Sequence, residues 1–234
     1  MNLFYTPHIH TGQAILAEEE ARHCVQVLRH RPGDAVRVVD GRGGFYEGVL
    51  EQAGKRECVI RIEREWQEWG RRPYRLHLAV APTKSIDRFE WFLEKAVEIG
   101  VDEISPLLCE HSERRQLRVD RLQKVALSAM KQSLKAYLPE VNELRSFSQF
   151  LRELEGDGQR FIAHCREGDK ASLKDNYRPG SDVIILVGPE GDFSEEEIRQ
   201  AGEAGFEPVH LGESRLRTET AGVVACHTIY LLNS

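Results

Sequence analysis

The chain has 234 residues, 41% apolar and 30% charged, with a formal net charge of −6. That excludes a fibrous or disordered chain and fits one large or two small globular domains. Its longest purely apolar stretch, residues 183–187, is far too short to cross a bilayer, and the start Met1-Asn2-Leu3-Phe4-Tyr5-Thr6 lacks the basic and long apolar segments of a signal peptide. A cytoplasmic location is expected. The scattered cysteines Cys24, Cys58, Cys109, Cys165 and Cys226 contain no CxxC pair and read as reduced, mostly buried thiols.

In chain order, residues 3–6 read as a strand and 18–29 as a helix with Ala21, Val25 and Leu28 on one face. Residues 35–39, 45–50 and 58–62 read as strands, separated by Asp40-Gly41-Arg42-Gly43-Gly44 and Ala53-Gly54-Lys55. Short strands at turn-separated intervals predict a small barrel. The charged stretch 63–74, ending in Gly70-Arg71-Arg72-Pro73, reads as a linker, so the expected domains are 1–72 and 73–234.

From there strands and helices alternate. Strands are expected at 76–81, 103–108, 161–165, 183–187 and 209–211. Helices are expected at 87–99, 120–138, 147–154, 194–204 and 218–232, with capping boxes at Asp87/Glu90 and Ser194/Glu197. Such alternation predicts an α/β domain whose parallel sheet is covered on both faces. Between Ala221 and Leu232 no Asp, Glu, Lys or Arg occurs, so the last helix is expected to be buried, in its own domain or against a second subunit.

Charge is unevenly spread. Residues 1–72 balance 11 basic against 11 acidic side chains, which leaves the whole net charge on the remainder. Yet residues 114–135 hold Arg114, Arg115, Arg118, Arg121, Lys124, Lys131 and Lys135 against Asp120 alone. This run reads as a polyanion-binding face or as a solvated helix surface.

The segments richest in chemistry are two strand-then-loop junctions. Ile184-Ile185-Leu186-Val187 runs into Gly188-Pro189-Glu190-Gly191-Asp192-Phe193, and Val209-His210-Leu211-Gly212 runs into Arg215-Leu216-Arg217-Thr218-Glu219-Thr220-Ala221. Carboxyl ends of parallel strands are where open α/β sheets bind ligands. Gly188 and Gly191 are expected to allow positive φ and close backbone approach. No P-loop, GxGxxG, GxSxG or HExxH is present, and His8 and His10 read as surface residues, so no metal is expected.

The wording of the two loops, Leu186-Val187-Gly188-Pro189-Glu190-Gly191-Asp192-Phe193-Ser194 and Leu211-Gly212 through Leu216-Arg217-Thr218-Glu219-Thr220-Ala221, resembles the RsmE-type ribosomal RNA methyltransferases of the SPOUT class. Further likenesses run along the chain: His23, Val27, Leu28, Arg29, Gly33 and Asp34; Lys84 to Arg88; Glu94 to Val101; Ser112-Glu113-Arg114; and Gln132-Ser133 with Pro139. The chain departs from the family pattern at Asp192, where Gly is usual, at Arg215, Lys131 and Lys135. The resemblance implies a PUA-like β-barrel followed by a SPOUT-type, mostly parallel sheet with a C-terminal trefoil knot. It implies a homodimer that transfers a methyl group from S-adenosylmethionine to N3 of a uridine in 16S ribosomal RNA. The substrate is that RNA or the assembled small subunit. A knotted enzyme acting on tRNA or a ribose hydroxyl, and a non-catalytic ribosome-assembly protein, are the competing readings.

On this reading His164, Leu186, Gly188, Pro189, Glu190, Gly191, Leu211, Gly212, Leu216, Thr218 and Ala221 are expected to line the donor pocket, built from loops 164–168, 186–191 and 211–217. Arg217 and Glu219 are the expected catalytic residues. Arg217 is alternatively a salt-bridge partner of Glu219 or Glu190. Arg22, Arg29, Arg31, Arg114, Arg115, Arg118 and Arg121 are the expected RNA contacts.

Overall fold

The computed structural model describes residues 3–234. The chain divides into two compact units, one made of residues up to Arg71 with Met130–Leu138, the other of Arg72–Ala129 with Pro139–Ser234.

The first unit is built on β1 (Leu3–Tyr5), β2 (Ile9–His10), β3 (Gln13–Ala17), β4 (Ala35–Val39), β5 (Phe45–Ala53) and β6 (Glu57–Trp66), in the order β1-β4-β5-β6-β3-β2. All pairs are antiparallel except β1 with β4. Bulges between Glu47 and Gly48 and between Leu50 and Gln52 bend β5 on β6. Each adds local twist, and the sheet curls into a PUA-like half-barrel around Phe4, Leu16, Val36, Val38, Leu50 and Ile60. β6 extends to Trp66, into the stretch that reads as linker, because its alternating side chains keep pairing with β5.

The expected helix 18–29 is two pieces. α1 (Glu18–Arg22) passes into one π-helical turn, His23–Val27, which keeps Cys24 buried and leaves Val27 exposed; Arg29 then takes a left-handed φ of 59° and ends the run. The segment Met130–Leu138 belongs to this unit: Lys131 pairs with Glu20, and Leu138 N–H donates to Gly41 O at 2.9 Å.

The second unit carries β7 (Leu76–Val80), α2 (Ile86–Ile99), β8 (Glu103–Leu108), α3 (Val119–Gln132), β9 (Glu140–Val141), β10 (Arg145–Ser146), α4 (Phe147–Arg152), β11 (Gln159–Ala163), β12 (Ala171–Ser172), α5 (Leu173–Asn176), β13 (Val183–Val187), α6 (Glu195–Glu203), β14 (Glu207–His210) and α7 (Thr218–Leu232). α3 stops at Gln132 rather than at 138, because Leu134 adopts a left-handed φ of 57°. The sheet runs β10-β8-β7-β13-β11-β14-β12 with β9 beside β8, every pair parallel. Its central strands are apolar on both faces: all five residues of β7 and of β13 are buried. α4 and α6 cover one face, where Phe147, Phe150 and Ala201 meet Ile162, Ile184 and Leu186. α2 packs on α7, and α7 lies over β7 and β13.

α6 starts with the expected capping box: Ser194 N–H donates to Glu197 Oε2 at 2.9 Å and Glu197 N–H donates to Ser194 Oγ at 3.3 Å. α2 does not; Ser85 is its N-cap without a side-chain bond, and Glu90 is held by Arg121 at 2.7 Å instead. α7 buries Gly222, Ala225, Cys226 and Ile229 but leaves Tyr230 and Leu231 42% and 61% exposed. Within one chain its apolar surface is therefore covered on one side only.

A polar pair, His77 and Ser105, sits inside the sheet. His77 of β7 is buried, with Nε2 2.8 Å from Ser105 Oγ, which in turn accepts from Asn142 Nδ2 at 2.9 Å. Burial, helped by Arg75 and Arg145, pushes its pKa down to about 3. An unfolded chain binds a proton at this histidine below about pH 6.5 while the folded one does not, so stability is full above that pH and falls progressively toward pH 3. Urea titrations of wild type and His77→Gln at pH 7 and pH 5 check this. Wild type is expected to lose about 2 kcal/mol more than the variant between the two pH values.

Candidate functional site: a cleft at the carboxyl ends of three strands

β13, β11 and β14 are neighbours in that order, all parallel. Their carboxyl ends therefore open at one edge, and the loops that follow them face each other. Two cavities lie there. The first, about 470 Å³, is lined by His164, Lys170, Leu211 and Gly212 among others. The second, about 340 Å³, is lined by Gly188, Pro189, Glu190, Arg217 and Thr218. They share Ala163, Cys165, Asp192, Arg215, Leu216 and Ala221, so they form two lobes of one cleft. Such volumes suit a small-molecule ligand.

The loops are tied down by specific bonds. Thr218 Oγ1 donates to Gly188 O at 3.0 Å, which joins the start of α7 to the end of β13. Asp192 Oδ2 accepts from Cys165 N–H and Oδ1 from Phe193 N–H, both at 2.8 Å. Glu190 Oε1 accepts from Lys84 N–H at 2.9 Å, and Arg114 donates to Thr83 O and Lys84 O at 3.1 and 2.6 Å. The loop after β7 is thereby fastened to the loop after β13, a connection that sequence reading missed although the stretch Lys84 to Arg88 was among the family likenesses.

His164 Nδ1 is buried and has no hydrogen-bond partner among the described residues. Burial first, then Lys170, holds the imidazole below its ordinary pKa. A neutral ring with an unsatisfied buried nitrogen costs free energy unless a ligand atom completes it.

Of the sequence-predicted donor residues, His164, Leu211, Gly212, Leu216 and Ala221 line the first lobe, and Gly188, Pro189, Glu190, Leu216, Thr218 and Ala221 the second. Leu186 and Gly191 line neither. Leu186 points into the core under α4 and α6, and a Cβ at Gly191 would come within 2.8 Å of His111 Cβ. The expectation of positive φ at Gly188 and Gly191 is also wrong: that conformation falls on Asp192, φ 63°, and on Gly212, φ 128°. Lys170, His210 and Asp192 line the cleft from outside the expected loops, and Cys165, Arg166 and Arg215 line it from within them without having been singled out. Asp192 and Arg215 are both among the departures from the family pattern.

Arg217 is exposed at the mouth of the second lobe. Glu219 lines neither lobe; it is buried, with Arg88 Nε 3.9 Å away. Among the predicted RNA contacts, Arg114 is spent on the carbonyls of loop 83–84, Arg118 pairs with Asp120 at 2.9 Å and Arg121 with Glu90. Arg115 is exposed, as are Arg22, Arg29 and Arg31 of the first unit. Among the described residues no three His, Cys, Asp or Glu side chains are grouped to hold a metal ion, and no helix is long and apolar enough to cross a membrane.

A half-barrel unit followed by a parallel sheet with a glycine-bearing cleft at its carboxyl edge defines a class that known proteins share. Residues 70–230 match the model of the RNA methyltransferase domain, and residues 16–63 that of the RNA methyltransferase PUA domain. The ribosomal RNA small subunit methyltransferase E of Mycobacterium bovis is 30% identical over 243 residues, 99% of this chain and 92% of that protein. That of Rickettsia conorii is 27% identical over 94% of this chain and 90% of its own length. A crystal structure of a probable rRNA-methyltransferase from Porphyromonas gingivalis superposes with a TM-score of 0.91 at 44% identity, covering 100% of this chain and 98% of that one. The Neisseria gonorrhoeae ribosomal RNA small subunit methyltransferase E, solved bound to S-adenosyl methionine, gives 0.90 at 30% identity and the same coverage. The chain belongs to the ribosomal RNA small subunit methyltransferase E family.

Proposed function

We propose that this chain transfers a methyl group from S-adenosylmethionine to N3 of a uridine in 16S ribosomal RNA. The observation that carries the donor half of this reading is the two-lobed cleft with the unsatisfied His164 Nδ1 in its wall. His164, Leu211, Gly212 and Leu216 would hold one part of the donor, and Gly188, Pro189 and Thr218 the other. Bound there, the donor supplies an electrophilic methyl on a sulfonium. Main-chain N–H and C=O groups of the glycine-bearing loops can read the adenine edge. Arg217, which lines the second lobe, would hold a uracil carbonyl oxygen as negative charge grows on it. N3 lies on the pairing edge, so the uridine must be unpaired or flipped out.

The knotted threading rests on the resemblance; the strand order, in which β11 precedes β13 and β14 yet lies between them, is one that knotted and unknotted open sheets share. The uncovered apolar side of α7, with Tyr230 and Leu231, supports a homodimer, which light scattering at micromolar concentration is expected to detect. A monomer there would remove that part of the reading. A cytoplasmic site of action goes with a ribosomal substrate.

Methylating small subunits that lack the modification, then digesting the RNA and identifying the nucleoside by mass spectrometry, tests the whole. The expected product is 3-methyluridine; a ribose-methylated nucleoside or a tRNA product would replace it with the competing enzyme. RNA contact has a second check. Arg115→Ala is expected to reduce the slope of log affinity against log salt by roughly 0.7 for a single-stranded contact. Arg114→Ala is expected to loosen loop 83–84 first, because its guanidinium is committed there.

A further inference from the structure

Asp192 stands where the family pattern has glycine, and the structure shows what it does. Its φ of 63° lies in the left-handed region, which glycine enters freely and aspartate at a cost. The position nevertheless carries a carboxylate that makes two bonds no glycine could make. One, to Cys165 N–H, crosses from the loop after β13 to the loop after β11; the other, to Phe193 N–H, fixes its own loop. Its carbonyl oxygen also accepts from His111 Nδ1 at 2.9 Å. Asp192 is half-buried and lines both lobes of the cleft.

Three cationic side chains, Arg166, Lys170 and Arg215, line the first lobe with it. Arg166, in the same lobe, gives Nε to Phe193 O at 3.2 Å and Nη1 to Glu195 at 2.8 Å. Lys170 is turned to the carbonyls of His164 and Arg166. The carboxylate accepts its hydrogen bonds from main-chain N–H groups, and Arg215 lines both lobes beside it. Methyl transfer breaks the S–CH₃ bond and leaves the electron pair on sulfur, so a cationic sulfonium becomes a neutral thioether. A fixed negative charge in the wall therefore distinguishes donor from spent product.

We propose that Asp192 is a positioning and specificity residue of the donor cleft. It latches loop 164–166 to loop 188–193, and its charge makes the cleft hold cationic S-adenosylmethionine in preference to neutral S-adenosylhomocysteine. This rests on the donor reading above. It also gives the chain a means of releasing product after each transfer.

The test is isothermal titration of each ligand, S-adenosylmethionine and S-adenosylhomocysteine, into wild type, Asp192→Asn and Asp192→Gly. Asparagine tolerates the left-handed backbone and keeps one of the two oxygen acceptors, so it loses the charge and one of the two main-chain bonds while Asp192→Gly loses both bonds. Asp192→Asn is expected to weaken the sulfonium ligand about tenfold and the thioether by less than about threefold. Asp192→Gly, which loses latch and charge together, is expected to weaken both, the sulfonium more. Equal weakening of the two ligands in Asp192→Asn, or none, overturns the charge selection. If wild type binds neither ligand, the donor reading itself fails, and this inference with it.

Discussion

Arg217→Ala is expected to lower kcat for methyl transfer about a hundredfold, the cost of removing one group aimed at developing charge, with donor affinity almost unchanged. The geometry separates the two quantities. Arg217 is the N-cap of α7, makes no side-chain capping bond and is exposed, so its removal leaves the helix start as it was. The walls that would grip the donor are main chain and small side chains: Gly188, whose carbonyl is held by Thr218, and Gly212 across the cleft. The alternative role, a salt bridge to Glu219 or Glu190, finds no support, because Glu219 lies beside Arg88 and Glu190 accepts from Lys84 N–H. Stability is expected to change by no more than about 0.5 kcal/mol, as for most surface substitutions. Arg217→Lys keeps the charge but loses the planar fork and is expected to fall between. Single-turnover transfer to RNA, with titration of the donor alongside, measures both. Wild-type kcat in the alanine variant would leave the carbonyl without its proposed partner.

Much of this arrangement was legible from residue pattern. The alternation of β7, α2, β8 and later elements announced a parallel sheet, because a strand buried on both faces must be apolar throughout, as Val183–Val187 is. The Ser194/Glu197 box was legible because both partners are local. The Asp87/Glu90 pair has the same spacing but failed. Glu90 found a stronger partner in Arg121, 31 residues away, which no local rule reports. For the same reason Arg114 looked like a free cation and proved to be an internal strut.

The register of the site was hidden too. Glycine spacing located the loops but assigned positive φ to Gly188 and Gly191, whereas the chain turns at Asp192 and Gly212. The short strands β9, β10 and β12 have two residues each and carry no periodicity at all. The donor, and with it the proposed knot and target base, was readable only through likeness to known enzymes, since composition and spacing say nothing of threading or of which ligand fills a cleft.

Gly212→Val separates loop conformation from packing. At φ 128° a valine is strained whatever room it has, and here it has room: nothing lies within 4 Å of the added Cβ. The cost is therefore in the backbone, of order 1–3 kcal/mol for a side chain forced into such a region. The loop can shed it by rotating the 211–213 peptides, which breaks the Gly212 N–H bond to His210 Nδ1 at 3.2 Å. Leu211 and Leu216 leave the first lobe with it. Donor affinity is expected to fall at least about tenfold, equivalent to about 1.4 kcal/mol, while the melting temperature hardly moves, because the loop is exposed and buries no core. Gly188→Val makes the contrast. Its Cβ would lie 3.0 Å from Phe193 Cδ2 and 3.2 Å from Phe193 N, and Phe193 is fully buried in the core under α4 and α6. That variant is expected to lose donor binding and stability together. RNA affinity should survive in both, since neither glycine lies on the basic segment 114–121 or in the first unit. Titration calorimetry beside thermal denaturation distinguishes them. A Gly212→Val protein that binds the donor as wild type does would mean that the β14 loop is not a wall of the donor site, which would then be formed by the β11 and β13 loops alone.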